Sequence, residues 1–187
     1  MKVILASKSP RRRELLSRIY SDFEIICEEV DESLPSGMHP MQGVELLAVR
    51  KGHAVAQKHP DALVISSDTL VEYNGIPLGK PTSEEVAVET LLTLSGKVHR
   101  VHTGVAVHYK GRVYSGTDTA HVKFCEISPT EAREYVATGE PMDKAGAYAI
   151  QGIGSRFVEK YDGDYDAIVG LGVLLTKKLC DEALENE

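Results

Sequence analysis

Behind a short apolar run, Val3-Ile4-Leu5-Ala6, the chain places Ser7-Lys8-Ser9-Pro10-Arg11-Arg12-Arg13. Ser7 and Ser9 supply hydroxyls, and Arg11 and Arg12 supply forked donors that suit phosphate oxygens. Ser9 is a good N-cap and Pro10 fits a first helical position, which predicts a helix from Pro10 to about Ile19. A helix start offers free N–H groups and the positive end of a dipole. Cations oppose that dipole, so three arginines there are locally unfavourable unless an anion compensates them. Arg12 lies three and four residues before Leu15 and Leu16 and shares their inward face, whereas Arg13 points elsewhere. The pattern points to an anion site. Its plain alternative is a solvated basic turn paired with the chain's acids. The P-loop signature, GxxxxGK followed by Ser or Thr, is absent.

Three further residues could join such a site. Lys51 falls on the apolar stripe Val44, Leu47, Ala48, Val55 of a predicted helix, Met41 to Lys58. It reads as a snorkelling lysine or as a phosphate cation reaching into a cleft. Lys80 sits in Gly79-Lys80-Pro81, a stiff loop able to present an ammonium, although many surface loops look alike. Asp68 interrupts the strand-like run Val64-Ile65-Ser66-Ser67-Asp68-Thr69. An acid there is unfavourable unless paired, hydrogen-bonded or bound to metal. Asp31 and Glu32 alone read as loop charges; with Asp68 they could supply hard oxygen ligands for Mg²⁺.

The elements that must position these residues are mixed. Strands are predicted at Val3 to Ala6, Phe23 to Cys27, Leu63 to Val71, Val98 to Tyr109, Arg112 to Phe124 and Ser155 to Tyr161. Helices fall between several of them, one starting at the capping box of Ser128 and Glu131 and a last one running into Glu185. This is an α/β pattern whose hairpins, at Asn74-Gly75 and Lys110-Gly111, make the sheet mixed. The 187 residues suit a single domain over 1–187. With 42% apolar and 26% charged residues the chain is neither disordered nor repetitive, and no apolar run approaches a bilayer span. Cys27, Cys125 and Cys180 form no CxxC and are odd in number, so they are expected to be reduced, core or half-buried thiols in a cytoplasmic protein. A net charge of −7 argues against nucleic acid or an anionic membrane as partner. Asp162-Gly163-Asp164-Tyr165-Asp166 fails as a calcium loop, because Ala167 and Val173 replace its glycine and glutamate. The histidines never take metal-ligand spacing, and His99 and His102 read as packing or surface residues.

Taken together, LASKSPRRRELL (5–16), VDE (30–32), LAVRKGHAV (47–55), SSDTLV (66–71), GKP (79–81), LSGKVHRVHTGVAV (94–107) and DKAGAYAIQG (143–152) resemble the Maf family of nucleoside triphosphate pyrophosphatases. The resemblance implies a fold like the inosine triphosphate pyrophosphatases: an elongated mixed sheet flanked by helices, with two lobes and a central nucleotide cleft. It implies hydrolysis of a nucleoside triphosphate to monophosphate and pyrophosphate with Mg²⁺ or Mn²⁺. By the family pattern Asp68 accepts the proton, Ser9, Arg12, Lys51 and Lys80 hold phosphates, and Glu32 is the metal-side acid beside Asp68. Arg11, Thr69 and Gln151 match the members that act on dTTP and UTP, and modified pyrimidine nucleotides come within the same expectation. Gln151 carries a donor and an acceptor that can read a pyrimidine edge. Gly170-Leu171-Gly172 departs from the family's Gly-Leu-Pro. A homodimer is expected from the resemblance alone. The rival from another class is a nucleotide-binding regulatory protein, tied to septum formation, without turnover. A nucleic-acid binder using Arg11 to Arg13 is opposed by the charge and by the lack of an aromatic stacking platform.

Overall fold

The computed structural model describes residues 1–185. In chain order the elements are β1 (Val3–Leu5), α1 (Pro10–Leu16), β2 (Glu24–Ile25), α2 (Pro40–Ala56), β3 (Leu63–Tyr73), β4 (Ile76–Leu78), α3 (Glu84–Leu94), β5 (Val98–Tyr109), β6 (Arg112–Phe124), α4 (Pro129–Val136), β7 (Val158–Asp162), α5 (Tyr165–Val169) and α6 (Val173–Glu185). Short 3₁₀ turns lie at Glu140–Asp143, Ala145–Ala147 and Ile153–Phe157. Side-chain oxygens of Ser9, Ser83 and Ser128 cap α1, α3 and α4, each accepting an otherwise orphaned N–H; Ser128 and Glu131 form the reciprocal box.

The sheet order is β2-β1-β3-β5-β6-β7, with β4 on the far end of β3. β1 runs parallel to β2 and β3, and the other pairings are antiparallel, so the mixed sheet is as expected. One consequence of register builds the site. β1 pairs with Leu63 to Ile65, and β4 pairs with Val71 to Tyr73. Between them, residues 66–70 have no strand partner on that edge, and the chain leaving β1 turns into this notch.

Odd-numbered residues of β3 face the larger core, where α1, α5 and α6 cover one end of the sheet and α3 and α4 the other. The even-numbered face carries α2. There a smaller apolar cluster, with Ile4, Val64 and Val55 buried, is joined by hydrogen-bonding residues. Ser66 donates to the Ala48 carbonyl at 2.7 Å, and Ser115 and Thr117 donate to Glu45 at 2.6 and 3.2 Å. Gly104, directly opposite Asp68, lies so close under α2 that a Cβ would stand 2.5 Å from the Val44 carbonyl oxygen. Backbone cannot yield there, so Gly104 sets the height of α2 and thereby of Lys51 above the sheet. Gly104→Ala is expected to lower unfolding free energy by about 1–3 kcal/mol, read as a fall in the urea midpoint at unchanged m-value.

Three histidines, His99, His102 and His108, are withdrawn from water on β5. Burial holds the ring of His99 to a pKa of about 4, and burial plus the neighbouring His53 does the same for His108. An unfolded histidine protonates at about 6.5, so between these values the unfolded chain binds more protons. The stabilisation is complete above about pH 6.5 and is lost as pH falls towards 4. Nδ1 of the buried His108 ring has no hydrogen-bond partner among the described residues. His108→Leu is therefore expected to flatten the decline in urea midpoint over that window; a slope equal to wild type would disprove the assignment.

Several sequence expectations need correction. α1 ends at Leu16 rather than Ile19, because the N–H groups of Arg18 and Ile19 bond only three residues back, to Leu15 and Leu16, and the chain unwinds through turns. The second strand shrinks to Glu24–Ile25. Ser155 to Phe157 is a 3₁₀ turn, and the strand expected at Ser155 starts at Val158. Cys125 is exposed, not core; Cys27 is half-buried and Cys180 buried. Of the two readings offered for His99 and His102, packing holds, and His102 is bonded to Glu72 at 2.8 Å.

Candidate active site

A cavity of about 990 Å³ opens at the notch in β3. Ser7, Ser9, Arg11, Arg12, Glu32, Lys51, Asp68, Thr69, Lys80 and Gln151 all line it, so the structure brings together the residues singled out for the site with one exception. Asp31 does not line it; its carboxylate turns to Ser33, whose N–H and hydroxyl bonds hold it below the usual carboxylate range. Lys8 and Lys144 add two further cations to the wall. Six basic and five acidic side chains line this space, against a chain carrying −7 overall, so the local balance is reversed.

Asp68 stands where β3 lacks an edge partner, and the ammonium of Lys51 reaches down from α2 to meet its Oδ1 at 2.6 Å. The same ammonium lies 2.9 Å from Oε1 of Glu32, which comes from the irregular segment before α2. Lys51 and Asp68 are each less than one-fifth exposed, whereas Glu32 is 62% exposed. Lys51 is thus not a snorkelling lysine but the link between two carboxylates.

Arg12 is held from three sides. Its Nε donates to the Gly170 carbonyl at 2.8 Å, Nη2 to Thr69 Oγ1 at 3.1 Å and Nη1 to Ser7 Oγ at 3.4 Å. A guanidinium has five N–H groups, so two remain for an anion. Burial pulls its pKa down, Asp68 opposes this, Arg11 adds to it and Glu32 opposes it, yet an arginine in this range stays charged. Thr103 donates its only hydroxyl proton to the Ala167 carbonyl at 2.7 Å. In its 3.0 Å contact with Thr69 it must therefore accept, so Thr69 donates to Thr103 and accepts from Arg12. Ser67 adds a second donor to the Gly170 carbonyl at 2.9 Å. Gly170 has φ +138°, a conformation that disfavours any side chain. The departure at Gly172 leaves α6 intact from Val173.

The opposite wall is the segment 143–151. Gly146, at φ +69°, approaches β3 so closely that a Cβ would meet the Val71 side chain at 2.8 Å. Its N–H bonds to the Gly79 carbonyl at 3.2 Å, which ties the wall to the loop of Lys80. Lys80 and Gln151 are exposed in the cavity mouth, and Lys80 has no ion-pair partner among the described residues. Lys144 pairs with Asp143. The sequence assigns no role to Lys144, Ser67, Thr103 or Gly170, although all lie inside quoted segments, because the contacts of the last three are far apart in the chain.

The carboxylates of Glu32 and Asp68 converge on one ammonium, so both reach the space of one small cation. No cluster of three or more metal-ligating side chains occurs among the described residues. Two hard oxygen donors beside an anion site fit Mg²⁺ or Mn²⁺, which complete their shells with phosphates and waters.

Among solved structures, the fold is similar to the Ham1 protein of Staphylococcus aureus, with a TM-score of 0.56 and 15% identity, covering 100% of this chain and 99% of that one. A HAM1 protein from Coxiella burnetii gives 0.52 and 11% over the full length of both. These likenesses concern the fold, and they agree with the expected architecture. Among curated relatives, the dTTP/UTP pyrophosphatase of Bacillus cereus strain B4264 is 45% identical over 172 residues, covering 92% of this chain and 90% of its own. Its counterpart in Bacillus thuringiensis subsp. konkukian strain 97-27 is 46% identical over the same shares. The family described as Maf-like protein matches residues 2–183, which include the notch, the cation set and the opposite wall, and the chain belongs to that family.

Proposed function

We propose that the protein hydrolyses nucleoside triphosphates, dTTP and UTP foremost, to the monophosphate and pyrophosphate. The observation that carries this reading is the convergence of Arg12, Lys51 and Lys80 on one cavity whose floor holds the oriented carboxylate of Asp68. A binder without turnover has no need of an acid beside the phosphate cations. The names of relatives 45% and 46% identical over 172 residues support the same substrates.

In the reaction, a water oxygen bonds to the α-phosphorus while the bridging α–β bond breaks and its electron pair leaves with pyrophosphate. Asp68 accepts the water's proton. Arg12, Lys51 and Lys80 hold the phosphates and stabilise the charge that grows on the leaving group. Lys51 lets go of Asp68 or Glu32 when phosphates offer it stronger partners. A bound Mg²⁺ or Mn²⁺, held by Glu32 and Asp68, would supply further charge neutralisation. Gln151, in the cavity mouth, reads the base edge with one donor and one acceptor.

The test is a panel of ribo- and deoxyribonucleoside triphosphates with Mg²⁺, each product identified by chromatography. Equal amounts of monophosphate and pyrophosphate, with dTTP and UTP preferred, are expected. Diphosphate and orthophosphate, or tight binding with no product, would refute the reaction.

A further inference from the structure

The cavity wall that carries Gln151 is closed into a loop by groups that do not touch the cavity. Glu140 begins this stretch, and its carboxylate reaches across to residues thirteen and fourteen positions later. Oε1 accepts from the Ile153 N–H at 2.9 Å, and Oε2 accepts from the Gly154 N–H at 2.9 Å. The hydroxyl of Tyr135, fully buried on α4, donates to Oε2 at 2.6 Å and accepts the Ala149 N–H at 3.2 Å. Gln151 therefore sits between Ala149 and Ile153, both held by one hydrogen-bonded pair. Gly152 allows the closure, since a Cβ there would collide with Glu140 Oε1. The carboxylate stays ionised: burial raises its pKa, but the bonds from Tyr135, Gly154 and Ile153 and the charge of Lys144 outweigh it.

The wall needs such a clasp. It contains two consecutive left-handed residues, Gly146 at φ +69° and Ala147 at φ +58°. The second is strained by about 1 kcal/mol or more, and such strain persists only where its surroundings hold it. Hydrogen-bond readout also demands placement to within about 0.5 Å. We infer that Glu140 and Tyr135 are positioning residues for base selection, fixing Gln151 through the closure of 140–154; this rests on the proposed triphosphate reaction. The phosphate groups are bound by other elements, so loosening the clasp acts on discrimination more than on chemistry.

The experiment compares wild type, Tyr135→Phe, Glu140→Gln and Gln151→Ala on UTP, dTTP, CTP and GTP, reading kcat and KM from pyrophosphate release. The phenylalanine variant keeps the buried ring and removes only the oxygen, so a folded variant is available even where Glu140→Gln unfolds. Expected is a rise in KM for UTP and dTTP, with kcat changed less than about threefold. The kcat/KM preference for UTP and dTTP should fall about tenfold or more, approaching that of Gln151→Ala. If Gln151→Ala flattens the profile while Tyr135→Phe and every folded clasp variant keep wild-type ratios, the clasp is merely structural and the inference falls. If Gln151→Ala itself leaves the profile unchanged, the reading role of Gln151 fails, and the inference with it. Absence of pyrophosphate from wild type would instead overturn the reaction beneath both.

Discussion

Asp68→Asn is expected to lower kcat by about 10²–10⁴-fold, the range for loss of a positioned general base. The substitution keeps the size of the side chain and an oxygen within reach of Lys51, which now sits 2.6 Å away. It removes the ability to accept a proton from water at neutral pH. Folding should change little, because the amide oxygen stays within hydrogen-bond reach of Lys51, whose ammonium keeps Glu32 as an ionic partner at 2.9 Å. KM for the triphosphate should change far less than kcat, since Arg12 and Lys80 are untouched. Steady-state kinetics with a thermal melt on the same samples decides the matter. Near-wild-type turnover would remove Asp68 from the chemistry, and a collapsed melt would make it a structural residue.

Arg12→Lys is expected to be nearly as damaging, at about 10²–10³-fold in kcat/KM, the scale for loss of one preorganised charge-stabilising donor. The two residues carry the same charge, so a purely electrostatic role would leave activity almost intact. The geometry says otherwise. The Nε and Nη2 bonds to Gly170 and Thr69 need a planar fork, which an ammonium on a flexible stem cannot reproduce. Released from them, the cation loses its aim and Thr69 loses its donor. Full activity in the lysine variant would show that Arg12 acts as a point charge and that the Thr69–Thr103 chain is incidental.

Much of this site was legible in the sequence because its chemistry is written in local departures from the expected pattern. Three arginines at a helix start, a lysine on an apolar stripe and an acid inside a strand are each locally unfavourable. The fold resolves them together, by sending all of them into one cavity. Caps were legible for the same reason: Ser128 and Glu131 satisfy each other within four residues. What escaped was whatever depends on register or on distant contacts. The notch at residues 66–70 arises because β1 ends at Leu5, opposite Ile65, and antiparallel β4 ends at Leu78, opposite Val71, and neither length follows from periodicity. The carbonyl of Gly170 meets Arg12 across 158 positions, and Glu140 reaches Gly154 through a segment of 3₁₀ turns that carry little hydrophobic period. The strand expected at Ser155 failed there too, because Gly154 and Ser155 follow the Glu140 closure before the chain can extend.

The central claim is that water attacks the innermost phosphorus beside Asp68. Hydrolysis of UTP in water enriched in oxygen-18, with products resolved by mass spectrometry, tests it most directly. One heavy oxygen should appear in UMP and none in pyrophosphate. Label in the pyrophosphate, or in orthophosphate released with UDP, would place the attack at another phosphorus and contradict the account.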